Sequence, residues 1–209
     1  MTHSHSTCSR IVAFPFGILI FGLITVLLAV NATARTETAI FAGGCFWCMQ
    51  PPFDQTPGVL ETTVGYTGGK EANPTYREVS SGKTGHLEAI EVRYDAEKVS
   101  YDRLLDKFWH QIDPTQQNGQ FSDIGHQYTT AIFYLNQAQE TAAVASRSRL
   151  AASGKFDRPI ATKILPATRF WPAETYHQKY YRKNPAHYNA YKIGSGRAAY
   201  IKRTWGTDH

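Results

Sequence analysis

The chain has 209 residues, of which 42% are hydrophobic and 19% charged, and its formal net charge is +5. That length suits one globular domain, and the composition excludes a chain that is disordered throughout. The three cysteines, Cys8, Cys45 and Cys48, are too few for a disulfide-rich scaffold or a four-cysteine zinc site. Because the basic residues are scattered along the sequence, we expect no binding of nucleic acid.

Residues 1–34 are expected to form a targeting segment rather than part of the fold. Residues 11–30 carry no charge and follow Arg10, and a run of twenty apolar residues can span the roughly 30 Å core of a bilayer as an uncleaved anchor. Ala32 and Ala34 instead match the small residues of a signal-peptidase site, which favours cleavage. Either outcome predicts an extracytoplasmic domain, periplasmic or secreted, that meets a membrane only through this segment.

From residue 35 onwards the pattern predicts one domain, residues 35–184, of alternating strands and helices. Strands are predicted over residues 36–42, 59–66, 87–94, 129–135 and 160–165. Helices are predicted over 45–53, from an N-cap at Ser100, over 137–152 and over 173–182, with a polar loop at 73–76 and coil over 185–209. The order up to Leu135 is β-α-β-β-α-β. This order indicates an α+β, ferredoxin-like two-layer sandwich with helices on one face of an antiparallel or mixed sheet.

The first strand is followed by Gly43-Gly44-Cys45-Phe46-Trp47-Cys48, a sequence typical of a reactive thiol. Two glycines form a turn, and Cys45 comes where a helix begins, so the helix N-terminus is expected to lower the pKa of its thiol. Cys48 follows one helical turn later on the same face and can attack an oxidised Cys45. The alternative is an inert structural disulfide between the two cysteines.

Phe46 and Trp47 lie beside the predicted nucleophile, where a thioredoxin-like protein more often has small residues or proline. Exposed aromatic side chains at a helix start can form an apolar cage for a methyl group. Burial of both side chains in the core is an equally good interpretation of the local sequence.

With this motif the chain resembles the A-type peptide methionine sulfoxide reductases. The resemblance begins at Gly43-x-Cys45-Phe46-Trp47 and continues, in order, at residues 65–69, 73–79, 85–89, 94–95, 113–114, 123–128 and 177–180. It covers residues 39–184, which is nearly the whole expected domain.

The resemblance implies reduction of the S epimer of methionine sulfoxide, free or in oxidised proteins. In that family a cysteine thiolate attacks the sulfoxide sulfur and becomes a sulfenic acid, while an acid protonates the oxygen. The matching nucleophile is Cys45 and the matching acid is Glu88. In the family, two tyrosine hydroxyls and an aspartate surround the sulfoxide oxygen, and the matching residues are Tyr76, Tyr128 and Asp123. The residues that match the family's methyl-binding aromatics are Phe46 and Trp47.

The strand pattern around Glu88 supports the acid independently. In residues 87–94, Glu88 shares a face with Ile90, Val92 and Tyr94, whereas Glu91 shares the opposite face with Arg93. A carboxyl on an apolar face loses its hydration, so its pKa should rise and its proton should persist near neutral pH. The alternative is an edge-strand glutamate that bends towards water.

The chain departs from many members of this family in its resolving cysteine. Those members use cysteines near the C-terminus, and this chain has none after Cys48. Cys48 is therefore the expected resolver, and a Cys45–Cys48 disulfide is the expected intermediate. Its reduction requires thioredoxin or an exported thioredoxin-like dithiol donor. The resemblance implies no metal, nucleotide or flavin cofactor, and we expect a monomer.

Two other functions fit parts of this pattern. A Cys-x-x-Cys sequence also occurs in thioredoxin-like thiol-disulfide oxidoreductases, although the predicted strand order does not favour that fold. A binding module could instead hold a thioether or methyl ligand on Phe46 and Trp47, with its two cysteines in a structural disulfide. Reduction of methionine S-sulfoxide with dithiothreitol separates the first hypothesis from these two.

Overall fold

The computed structural model describes residues 1–3 and 35–206. Residues 4–34 of the expected targeting segment, with Cys8, lie outside the described residues. Within the described ranges, none of the helices has both the length and the apolar composition needed to cross a membrane.

One six-stranded sheet forms the centre of the domain. Its strands, in chain order, are β1 (Thr36–Gly43), β2 (Val59–Thr67), β3 (Leu87–Asp95), β6 (Thr130–Tyr134), β7 (Lys163–Pro166) and β8 (Trp171–Pro172). A separate two-stranded hairpin is formed by β4 (Gly119–Gln120) and β5 (Asp123–Ile124).

Seven helices accompany these strands in the described part of the chain. They are α1 (Phe46–Asp54), α2 (Tyr76–Ser80), α3 (Tyr101–Trp109), α4 (Gln137–Ala152), α5 (Tyr180–Lys183), α6 (Pro185–Gly194) and α7 (Arg197–Trp205). A short 3-10 turn, His126–Tyr128, connects the hairpin to β6.

The expected ferredoxin-like arrangement is confirmed. The strand order is β7-β6-β1-β3-β2-β8, and its four central strands pair antiparallel in the order that a β-α-β-β-α-β chain predicts. At one edge β7 pairs parallel with β6 after the crossover through α4, and at the other β8 pairs antiparallel with β2. The sheet is therefore mixed.

The main core lies between one face of the sheet and the helices α1, α3 and α4. Phe41 of β1 stacks on Phe53 of α1 and Phe108 of α3, with ring centroids 5.3 and 5.2 Å apart. The opposite face is covered by a chain segment instead of helices, where Leu165 and Phe170 pack on buried residues such as Phe133. Because α1 is anchored in this core, its first turn is held at a defined place at the end of β1.

Capping residues explain several of the helix starts. The Ser100 hydroxyl accepts a hydrogen bond from the Arg103 amide at 3.2 Å, as the sequence predicts for an N-cap. Thr75 and Glu78 form a reciprocal capping box, in which each side chain accepts a hydrogen bond from the other residue's amide. This box nucleates α2 where the sequence predicts only a polar loop.

The prediction of a helix over residues 173–182 is wrong, since only its last three residues are helical, as the start of α5 (Tyr180–Lys183). The cause is a tertiary contact that the local pattern does not contain. The side chain of Gln178 accepts a hydrogen bond from the Val64 amide at 3.0 Å and donates one to the Val64 carbonyl at 2.8 Å. These bonds hold the segment against β2 as a turn, and Lys179 takes a left-handed conformation with φ of 54°.

The prediction of coil after Asn184 is also wrong, because α6 and α7 occupy most of this segment. Pro185 stands at the start of α6, where its fixed φ and missing N–H suit a helix. Gly196 separates the two helices with φ of 83°, a conformation that favours glycine. Each helix is held by one buried side chain, Tyr188 in α6 and Arg197 in α7.

Candidate active site

The turn between β1 and α1 positions the cysteines, and it requires both of its glycines. A Cβ on Gly43 would lie 2.4 Å from Sδ of Met49, and one on Gly44 would lie 2.5 Å from Cβ of Gln120. Gly44 also has φ of 77°. Cys45 consequently becomes the N-cap of α1, and its carbonyl accepts a hydrogen bond from the Cys48 amide at 3.1 Å.

A small cleft of about 80 Å³ opens at this helix start. Every site residue predicted from the sequence lines it, with the exception of Cys48, and one further residue joins them. The lining residues are Cys45, Phe46, Trp47, Tyr76, Glu88, Asp123, Tyr128 and Tyr191. A larger cavity of about 570 Å³ lies between α1, α3, α6 and α7, and none of the predicted site residues lines it.

The two cysteines are free thiols, and both are buried, with exposed fractions of 6% for Cys45 and 1% for Cys48. Burial raises the pKa of Cys45 well above that of an ordinary thiol. The hydrogen bond from Cys45 lowers the pKa of Cys48 to about 7, and the positive charges of Arg197 and Lys192 act in the same direction. When the pair ionises near neutral pH, the negative charge therefore develops on Cys48 and not on Cys45.

The expectation of a lowered pKa for Cys45 is wrong for this structure. The first amide of α1, on Phe46, donates its hydrogen bond to the Glu88 carboxyl at 3.0 Å instead of to the thiol. The Cys45 side chain makes no capping hydrogen bond. The favourable end of the helix is thus occupied by a carboxyl, and burial dominates the ionisation of Cys45.

Glu88 has the buried environment that the strand pattern predicts. Its exposed fraction is 2%, and burial raises the pKa of its carboxyl to about 8. The hydrogen bond from the Phe46 amide opposes this rise, and the negative charge of Asp123 adds to it. The prediction of a raised pKa is confirmed, so this carboxyl carries a proton at neutral pH and can donate it.

Three tyrosine hydroxyls surround the cleft. Burial raises the pKa of Tyr76 to about 12 and also raises that of Tyr128, so both remain donors at neutral pH. Tyr191 was missed because it lies in the segment predicted as coil. Its hydroxyl donates to the carboxylate of Asp123 and also hydrogen-bonds the thiol of Cys45. Pro185 at a helix start is the sequence signal that could have indicated α6.

The aromatic side of the cleft is formed by Phe46 and Trp47, and here both interpretations of these residues hold. Phe46 is 1% exposed and packs in a core cluster, yet it also lines the cleft. Trp47 is half-buried and stacks on Tyr180, with centroids 3.9 Å apart and planes 6° apart. It also meets Tyr191 edge-on, at 5.9 Å and 81°.

A buried histidine fixes the orientation of Trp47. The indole N–H donates to Nδ1 of His177 at 3.0 Å. Burial lowers the pKa of His177 to about 4, so the ring is neutral and Nδ1 remains available as an acceptor at physiological pH. His177 falls within the segments that carry the family resemblance, but its contact with Trp47 required the structure.

A ferredoxin-like core that brings a buried thiol pair next to a protonated carboxyl is the arrangement of a thiol-dependent oxidoreductase. The family model "Peptide methionine sulfoxide reductase" matches residues 37–209. The chain belongs to this family and is an oxidoreductase, a peptide methionine sulfoxide reductase.

Relatives and solved structures agree with this assignment. The chain is 54% identical over 172 residues to peptide methionine sulfoxide reductase MsrA of Bacillus subtilis, which covers 82% of this chain and 97% of the relative. It is 51% identical over 175 residues to the MsrA of Bacillus licheniformis, with coverage of 84% and 97%.

Among solved structures, methionine sulfoxide reductase A of Corynebacterium diphtheriae is similar, with a TM-score of 0.65 and 38% identity over 74% of this chain and 77% of that one. Reduced Mxr1 from Saccharomyces cerevisiae has a TM-score of 0.69 and 30% identity, and the match covers 73% of this chain and 88% of Mxr1. The match of this second structure extends over most of its own length, as a shared fold requires.

Proposed function

We propose that the chain reduces the S epimer of methionine sulfoxide, free or in oxidised proteins, through a Cys45 sulfenic acid and a Cys45–Cys48 disulfide. The observation that carries this proposal is the single cleft in which the Cys45 thiol, the protonated Glu88 carboxyl and the aromatic pair of α1 meet. The sequence CFWC is then a variant in which nucleophile and resolver share one helical turn.

The cleft offers a different surface to each substituent of a sulfoxide sulfur. Phe46 and Trp47 suit the methyl group, because they form the apolar side. The oxygen suits the opposite side, where Glu88, Tyr76 and Tyr128 supply hydrogen-bond donors, while Asp123 holds Tyr191. With these two substituents placed, only one epimer directs its sulfur to Cys45 and its chain to the opening.

The first chemical step transfers the oxygen to Cys45. The sulfur of Cys45 attacks the sulfoxide sulfur and gives its own proton to the Cys48 thiolate, while Glu88 protonates the sulfoxide oxygen. The hydroxyl group then moves to the Cys45 sulfur, and the bonds from the substrate sulfur to the oxygen and to Cys45 break. The products are the thioether, a sulfenic acid on Cys45, a thiol on Cys48 and an ionised Glu88. The reactants and the products of this step each carry one negative charge and two transferable protons.

The second step forms the disulfide. Glu88 takes the proton of Cys48, the resulting thiolate attacks the Cys45 sulfur, and the S–O bond of the sulfenic acid breaks. The same proton leaves with the hydroxide as water. A dithiol donor, thioredoxin or an exported thioredoxin-like protein, then supplies the two electrons and two protons that restore both thiols.

Two cysteine variants test this sequence of steps with a thioredoxin-type protein as donor. Cys45→Ser is expected to abolish reduction of the S epimer. Cys48→Ser is expected to complete one stoichiometric turnover and then stop, because its sulfenic acid has no partner thiol. The R epimer serves as the negative control. Normal cycling of Cys48→Ser with the protein donor would contradict the role of Cys48 as resolver.

We further propose that the domain is exported. The support is the charge-free run at residues 11–30, followed by Ala32 and Ala34. Mass spectrometry of the mature protein tests its processing, since a new N-terminus at Arg35 demonstrates cleavage and an intact N-terminus in the membrane fraction demonstrates an anchor. Recovery of the intact chain only from the cytosol would contradict export.

A further inference from the structure

The first residue of α7 carries a positive charge into the interior of the domain. Arg197 is 1% exposed, which is unusual for an arginine. Its guanidinium donates hydrogen bonds to the carbonyls of Gln111 at 2.7 Å and Gly43 at 2.9 Å, and it lies 4.7 Å from the ring centroid of Phe121.

In the described part of the chain this buried cation forms no ion pair with a carboxylate, although its charge does act on the carboxyl of Glu88. Within residues 35–206, each of the ion pairs that arginine, lysine or histidine makes with a carboxylate involves another residue. Carbonyl and aromatic contacts satisfy the N–H groups of Arg197 but do not neutralise its charge. A buried charge without a counterion is strongly unfavourable, so an anion in the neighbourhood is expected.

The contacts of the guanidinium place it directly beneath the cysteine turn. Gly43 precedes Cys45 by two residues, and Met49, whose sulfur lies 3.8 Å from the guanidinium, directly follows Cys48. A Cβ on Gly44 would lie 2.9 Å from the guanidinium, so the glycine permits this close approach. Two acidic groups at this turn respond to the charge of Arg197, the Cys48 thiol and the Glu88 carboxyl. Because Glu88 is protonated at neutral pH, the thiolate of Cys48 is the anion left to pair with the guanidinium.

We propose that Arg197 is the buried counterion of the resolving thiolate. It favours the ionised form of Cys48, first as the proton acceptor of the reduced enzyme and then as the thiolate that attacks the sulfenic acid, and it loses this partner when the Cys45–Cys48 disulfide forms. The inference rests on the proposed function, in which Cys48 resolves the sulfenic acid. It assigns to α7, far from the cysteines in sequence, a positioning role in the second chemical step.

Other groups also act on Cys48 and must be separated from Arg197. Cys45 hydrogen-bonds it, and Lys192 of α6 adds positive charge. Asp123 of β5 opposes its ionisation, and the Glu88 carboxyl and the Tyr188 hydroxyl interact with it electrostatically. Lys192 is half-buried, so solvent screens its charge, whereas the charge of Arg197 is shielded from water. Arg197 should therefore account for more of the ionisation than Lys192 does.

The proposal has a second consequence, for the ease of reduction. A positive charge stabilises the thiolate of the reduced form and gains nothing from the neutral disulfide. It therefore shifts the equilibrium towards the dithiol and makes the disulfide more oxidising, which helps a dithiol donor to regenerate the enzyme.

Two substitutions separate the charge of Arg197 from its hydrogen bonds. Arg197→Gln removes the charge and keeps an amide donor for the Gly43 carbonyl. Arg197→Lys keeps the charge but loses the planar guanidinium, which can donate to two carbonyls at once. Lys202→Gln, an exposed lysine of the same helix, is the matched control. The measurements are the thiolate titration by ultraviolet absorbance and the disulfide equilibrium against glutathione.

Arg197→Gln is expected to move the Cys48 titration upwards by about one pH unit. At about pH 9, where the thiol of the unmodified enzyme is almost fully ionised, it should shift the disulfide equilibrium about tenfold towards the oxidised form, or about 30 mV, and the shift at pH 7 should be about twofold. In single turnovers at pH 7, disulfide formation should slow by about fivefold and recover at higher pH as Cys48 ionises. Arg197→Lys and Lys202→Gln should stay near the unmodified enzyme.

Equal changes in the glutamine and lysine variants, or an unchanged titration in both, would overturn the counterion role and leave Arg197 as a structural contact of α7. Melting temperatures of all variants show whether loss of folding causes an effect. If the unmodified enzyme forms no Cys45–Cys48 disulfide at all, the proposed resolving step itself fails. If the disulfide forms but its equilibrium with glutathione is the same in Arg197→Gln and in the unmodified enzyme, only the counterion proposal fails.

Discussion

At the scale of single residues, the position of Glu88 was predictable and its partner was not. Alternation along β3 places Glu88 on the buried face with Ile90 and Val92, which already predicts a raised pKa. The hydrogen bond with the Phe46 amide comes from a residue 42 positions away. For the same reason the pKa of Cys45 was predicted wrongly, because sequence alone does not show that this amide is already used.

The protonation of Glu88 predicts how activity depends on pH. Because the proposed acid has a pKa of about 8, the rate of sulfenic acid formation should fall as pH rises through this value. Glu88→Gln should lower that rate by about 10²-fold or more, since general acid catalysis is lost. Single-turnover kinetics across pH measure both effects. Glu91→Gln, on the opposite face of β3, is the control, and equal losses in both variants would contradict the assignment.

The same carboxyl should make the protein less stable at higher pH. The folded-state pKa of Glu88 lies above its unfolded value, so the unfolded chain binds fewer protons and stability falls between about pH 4.5 and pH 8. At pH 7, Glu88→Gln should raise the free energy of unfolding by up to about 3 kcal/mol. Near pH 4 the difference should vanish. Urea unfolding at both pH values measures it, and a pH-independent difference would argue against ionisation as the cause.

At the scale of elements, the strands and the long helices were predictable, and the C-terminal helices were not. α3 begins after its predicted N-cap, Ser100, and α4 spans the predicted residues 137–152, capped by Asn136. In contrast, α6 and α7 each bury a single side chain. They have no apolar stripe for a sequence pattern to detect, and one of the two buried residues is an arginine.

The turn between β1 and α1 provides a test at this scale. Gly44→Ala should destabilise the protein by about 2 kcal/mol or more, because its φ of 77° is strained for alanine and a Cβ would lie 2.5 Å from Gln120. Gly194→Ala is the matched control, since nothing lies within 4 Å of its Cβ position at the end of α6. It should stabilise by about 0.4–1 kcal/mol. Denaturant unfolding measures the free energy of unfolding of both variants. Equal changes in the two would contradict the packing argument.

At the scale of the whole molecule, the order of elements up to Leu135 was enough to predict the ferredoxin-like topology. The parallel edge strand β7 and the short strand β8 extend the sheet beyond that plan. The predicted end of the domain at residue 184 omits Tyr191 and Arg197, which both contact the cysteine turn or its thiol. The complete site thus depends on contacts between the two ends of the described domain.

Truncation tests this dependence. A chain that ends at Asn184 should lose sulfoxide reduction and melt at a lower temperature, since it lacks the residues that cover Cys45 and Cys48. A chain that ends at Gly206 should keep both properties. Activity assays with a dithiol donor and thermal melting compare the two. Full activity of the shorter chain would show that α6 and α7 are dispensable.

Met49, packed beneath Gly43 and fully buried, has a consequence for the survival of the enzyme. It is one of only two methionines in the chain, and the other, Met1, precedes the expected targeting segment's apolar run. A soluble oxidant that damages surface methionines finds none to modify between residues 35 and 206. The described domain therefore offers oxidants no exposed methionine, so this reductase does not itself become a substrate for a second copy of the same chain.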